Sequence, residues 1–130
     1  MTAPQHIRTP LARVRGFGAA KSGTGHFWLQ RVTAIANIPL TVAAVIVMIM
    51  LLGRNQPAAA QILGSPTVAI TMLLFIASTM IHMRIGMQAI IEDYVHGDTA
   101  KMSLILANNF FVVIVGLTAA FGVLKLSFGV

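Results

Sequence analysis

Apolar and polar positions divide the chain into three long apolar runs joined by short polar stretches, from about Val32 to Leu52, Thr67 to Ile91 and Leu104 to Leu126. Each run, as a helix rising ~1.5 Å per residue, is long enough to cross a hydrocarbon layer of ~30 Å. Nothing alternates as a strand does, and no internal repeat is visible. Residues 53–66 read as a short turn, and Pro39 falls in the first half of the first run. A kink there is tolerable if neighbouring groups re-satisfy the freed backbone. The segment Glu92–Ser103 carries all three acids of the chain together with His96 and Lys101. The expected fold is all-α, an integral membrane protein with three transmembrane helices. Residues 1–25 form an arm and 26–130 the transmembrane domain.

Composition agrees with one small membrane domain. Of the 130 residues, 57% are hydrophobic and 9% charged, against roughly 25% charged in a soluble domain. With no cysteine, disulfides, zinc–thiolate sites, iron–sulfur ligation and thiol catalysis are excluded. The net charge of +6 is uneven: Arg8, Arg13, Arg15, Lys21 and Arg31 all precede the first run or open it, with no acid among them. Together with Lys101, against Arg54 and Lys125 elsewhere, they place the N-terminus in the cytoplasm and the C-terminus in the periplasm. Such an arm meets anionic lipid; with no binding fold beside it, no nucleic-acid partner is expected. The arm is acid-free, as a transit peptide would be. Its single serine and its breakers Pro4, Pro10, Gly16, Gly18, Gly23 and Gly25 favour a mature cytoplasmic tail, with residues 16–25 a shaped loop.

The chemistry concentrates in His82–Tyr94, HMRIGMQAIIEDY. His82, Gly86, Ala89 and Asp93 share one helical stripe, and His82 and Tyr94 lie roughly 18 Å apart along the axis. His82 sits about 14 Å inside the end of its run, a depth at which an ionisable side chain is costly and defaults to a functional reading. It is either a neutral imidazole bonded to a neighbouring helix or an axial ligand of a haem, for which the small Ser78 and Gly86 leave flat space. No other histidine lies within an apolar run, so a bis-histidine haem needs a second polypeptide. Arg84, about 160° around the helix from His82, faces other protein or snorkels. Tyr94 is an aromatic-belt residue or a hydrogen-bond donor to a quinone carbonyl, with Asp93 beside it to orient partners or deliver protons. In GHFWLQR, Phe27, Trp28 and Arg31 suit an interfacial anchor; the sharper alternative is that His26 and Arg31 reach an anionic group or a quinone oxygen.

The pattern His82-x-x-x-Gly86-Met87…Asp93-Tyr94, with the aspartate eleven residues after the histidine, resembles the small D-type membrane-anchor subunit of bacterial succinate dehydrogenase, respiratory complex II. Arg31-x-Thr33-Ala34 and the three-run length agree with it, and the likeness spans about residues 16–126. The resemblance implies a bacterial inner-membrane protein that assembles with a companion cytochrome b anchor, an iron–sulfur subunit and an FAD-bearing flavoprotein. It implies that His82 ligates the iron of haem b shared with the companion, that Tyr94 bonds ubiquinone with Asp93 near it, and that Arg31 and His26 lie near the haem propionates or the quinone. The chain would have no succinate site of its own; catalysis belongs to the assembly. Two other classes remain: a small proton-coupled transporter or channel subunit using His82, and a cofactor-free assembly protein.

Overall fold

The computed structural model describes Leu11 and residues 23–129. From residue 23 onward the chain forms four helices: α1 (Gly23–Leu51), α2 (Gln56–Gly64), α3 (Pro66–Tyr94) and α4 (Asp98–Phe128). There is no strand among the described residues. Helices α1, α3 and α4, of 29, 29 and 31 residues, are long and apolar enough to cross a membrane. At 1.5 Å per residue they extend roughly 44–46 Å, the thickness of a bilayer with its headgroup zones. That length explains why every span outruns its apolar run.

The helix ends follow local chemistry. Helix α1 begins at Gly23, nine residues before the hydrophobic boundary. His26–Arg31 therefore lies on the helix, because no proline interrupts it before Pro39, which α1 also accommodates. Residues 16–22 of the expected loop lie outside the described residues, and Gly23–Gly25 are helical. The turn at 53–66 proves to contain α2. Asn55 caps it, its side-chain oxygen accepting from the Ala58 N–H at 3.1 Å. Pro57 lies in the first turn, where its missing N–H costs nothing, and three alanines follow. Helix α3 starts on Pro66 and ends at Tyr94, leaving only 95–97 before α4. Asp98 opens α4, where a carboxylate meets the positive end of the helix dipole. Gly129 closes it with φ 70°, its N–H bonding the Lys125 carbonyl.

Helix α3 is the centre of the layer: α1 and α4 both pack along it and not on each other, and α2 packs on α4. A β-carbon at Gly64 of α2 would lie 3.0 Å from the Leu126 carbonyl oxygen, so a larger residue there would press the two helices a few tenths of an ångström apart. The interfaces use small and medium residues, with Ala44, Val47, Ala69, Ile91 and Val112 buried, as expected where lipid removes the hydrophobic drive and close packing must substitute. Polar ties join α3 to α4. The Asn108 amide donates to the Arg84 carbonyl at 3.0 Å, and Arg84 Nε donates to Asn109 Oδ1 at 2.7 Å. Arg84 thus faces α4, away from His82. Across all three spans large apolar side chains remain exposed, from Ile35 and Ile38 to Leu117 and Phe121. The layer offers these faces to lipid or to other membrane helices.

Candidate functional site

The first turns of α1 and the second half of α3 enclose a cleft of about 510 Å³, within the ~300–1,000 Å³ usual for small-molecule and cofactor sites. Three of the five residues singled out in the sequence line it: His26 and Arg31 from α1, and His82 from α3. Phe27, Ala34, Ile85 and Ala89 supply apolar walls, and Gln30, Gln88 and Glu92 add polar groups. Arg31 is held over the Phe27 ring, 4.5 Å from its centroid. This cation–π contact keeps the guanidinium in the cleft. Glu92 Oε1 accepts from Gln88 Nε2 at 2.7 Å, one helical turn apart.

The centre of the site is the meeting of His82 with Thr33. The Thr33 hydroxyl lies 3.1 Å from His82 Nδ1 and also bonds the carbonyls of Leu29 (2.7 Å) and Gln30 (3.1 Å) on its own helix. Ser78 Oγ donates to the Thr33 carbonyl at 3.4 Å. Only 5% of Thr33 is exposed, so water does not compete for these bonds. His82 Nε2 has no hydrogen-bond partner among the described residues. The ring is therefore anchored through one nitrogen. Gln30 Oε1 is buried without a partner, an unmet acceptor in a residue of the same cleft.

Several expectations shift. Ser78 and Gly86 were expected to leave flat space for a porphyrin; both instead serve the approach of α1. Ser78 bonds Thr33, and a β-carbon at Gly86 would meet Gln30 Nε2 at 3.3 Å. Small apolar side chains in the cleft come instead from Ala34 and Ala89. Of the stripe His82, Gly86, Ala89 and Asp93, only His82 and Ala89 line the cleft, and Glu92 does so in place of Asp93. Tyr94, at the very end of α3, is 77% exposed and turned by about 120° from His82. Neither Asp93 nor Tyr94 lines the cleft. They mark a second, outward-facing surface at the same end of the layer.

Thr33, Gln30 and Glu92 were not among the expected site residues. The signal for Thr33 was its place beside Arg31 in Arg31-x-Thr33-Ala34; a threonine in an apolar helix ordinarily bonds its own backbone, and this one does that as well. The described residues contain no group of three or more His, Asp or Glu side chains able to hold a bare metal ion.

Three apolar spans with one imidazole-bearing cleft between two of them define a membrane-embedded helical subunit. The family model described as succinate dehydrogenase/fumarate reductase transmembrane subunit matches residues 5–116, and the chain belongs to that family. Similar proteins include the succinate dehydrogenase hydrophobic membrane anchor subunit of Paracoccus denitrificans, 33% identical over 102 residues, covering 78% of this chain and 79% of the relative. That of Rickettsia bellii (strain RML369-C) is 30% identical over 110 residues, covering 83% and 86%. The succinate dehydrogenase membrane anchor subunit of Reclinomonas americana is 34% identical over 89 residues, covering 66% and 74%. No solved structure matches the chain. The chain is a succinate dehydrogenase membrane-anchor subunit, a multi-pass protein of the bacterial inner membrane.

Proposed function

We propose that this chain, paired with a companion cytochrome b anchor, holds one haem b and forms part of the site where ubiquinone is reduced. The electrons come from an iron–sulfur subunit, which an FAD-bearing flavoprotein supplies. The observation that carries the reading is the His82 imidazole, fastened through Nδ1 to Thr33 at 3.1 Å and lining a cleft with apolar walls and two basic side chains.

The residues present fit the group. His82 would ligate the iron through Nε2, and a companion chain would have to complete the ligation, because no other histidine of this chain lies within an apolar run. Bound haem supplies one-electron storage close to the quinone. Arg31, steadied by Phe27, offers a charge and up to five donors to the carboxylates of such a group. His26 adds a second nitrogen donor on the same wall. Ala34, Ile85 and Ala89 exclude water from the space beside the ring.

Tyr94 and Asp93 act at the outward surface. The phenol donates a hydrogen bond to a ubiquinone carbonyl, and Asp93 beside it helps bring in the protons that reduction consumes. Partner subunits complete that pocket, since Tyr94 is exposed in this chain. The excess of basic residues on the N-terminal arm orients the N-terminus and the Asp93–Tyr94 end toward the cytoplasm, the side on which the soluble redox subunits dock. Succinate oxidation itself belongs to the flavoprotein of the assembly. Haem content per assembled complex tests the reading: one haem b in the wild type, lost in His82→Ala, supports it, and unchanged haem in that variant overturns it.

A further inference from the structure

We infer that Thr33 is the positioning residue of His82, holding the imidazole as its Nδ1–H tautomer and thereby setting the redox potential of the haem bound at Nε2. The inference rests on the haem reading above and deepens it.

The Thr33 hydroxyl has a single hydrogen and three neighbours: the Leu29 carbonyl at 2.7 Å, the Gln30 carbonyl at 3.1 Å and His82 Nδ1 at 3.1 Å. A carbonyl has no hydrogen to give, and 2.7 Å is the usual length of an O–H···O bond. The hydroxyl hydrogen therefore goes to Leu29, and only lone pairs of Thr33 face the ring. A bare Nδ1 would set lone pair against lone pair at 3.1 Å; a protonated Nδ1 donates and gives the hydroxyl its second bond. A neutral imidazole has one N–H, so Nε2 is left with its lone pair, as a metal ligand requires. Thr33 is itself fixed, because its carbonyl receives Ser78 and its side chain is buried. The ring is thus locked in tautomer and in orientation by the facing helix.

A ligating histidine whose other N–H is bonded to an acceptor is a stronger base and favours the ferric over the ferrous state. Removing the acceptor weakens that preference, and the midpoint potential rises. A tenfold change in preference corresponds to a rise of about 59 mV for a one-electron couple.

The test is a potentiometric titration of haem b, with electron paramagnetic resonance of its ferric form, in the assembled complex carrying Thr33→Val, Thr33→Ala or Thr33→Ser. The inference expects the valine and alanine variants to retain haem with a raised potential and altered ferric g-values. Serine, which keeps the hydroxyl, restores both. Wild-type potential and g-values in the valine or alanine variant overturn the role of Thr33. So does failure of both to assemble while serine assembles, which would make Thr33 a packing residue. Haem missing from the wild type, or surviving in His82→Ala, overturns instead the haem reading beneath it.

Discussion

Gly86 lies so close to Gln30 that a β-carbon on it would sit 3.3 Å from the Gln30 amide nitrogen. The contact is one turn from His82, and it sets how near α1 comes to the histidine-bearing face of α3. Because the neighbour is the far end of a flexible side chain, alanine at this position is expected to be nearly neutral. Valine must displace the amide and is expected to cost about 1–3 kcal/mol. Thermal denaturation of the purified complex checks this, with Gly86→Val melting lower and Gly86→Ala unchanged.

On the opposite face of α3, Asn108 donates to the Arg84 carbonyl. Interhelical hydrogen bonds in membranes average only ~0.6 kcal/mol and reach ~1.7. Asn108→Leu should therefore lower stability within that range and leave the haem spectrum unchanged, because the α3–α4 face is remote from the cleft. A shifted spectrum would show that the two faces of α3 are coupled.

Tyr94 ends α3 on a surface that the rest of the chain leaves open. Loss of a hydrogen bond worth ~0.5–1.5 kcal/mol predicts a roughly 2- to 12-fold fall in quinone reduction in Tyr94→Phe. Succinate oxidation by an artificial acceptor should persist. Loss of both activities together would mean failed assembly rather than a quinone contact.

The spans were legible in the sequence because membrane crossing is a one-dimensional property of apolar length. Their ends were not. Gly23–Arg31 and Asp98–Ser103 are polar enough to read as loops, yet each continues a helix into the headgroup zone. Helix α2 was hidden for the opposite reason: Gly53, Pro57, Gly64 and Pro66 look like turn punctuation, while Asn55 and Pro57 in fact begin a helix. His82 stood out as an ionisable group in an apolar run, and Arg31 and His26 by their place in the polar stretch that leads into the first run. Thr33 did not, because a contact across 49 residues of sequence is a property of how α1 lies on α3. Glu92 rather than Asp93 reaches the cleft, a difference of one residue that pattern alone does not resolve on a helix turning about 100° per residue.

The central claim is that His82 supplies half of a shared haem site. The most direct measurement is a dithionite-reduced minus oxidised absorption spectrum of membranes expressing this chain, with and without its companion subunits, for the wild type and His82→Ala. The account predicts a b-type signal only when the companion and His82 are both present. A signal that persists without His82, or none in any combination, would contradict it.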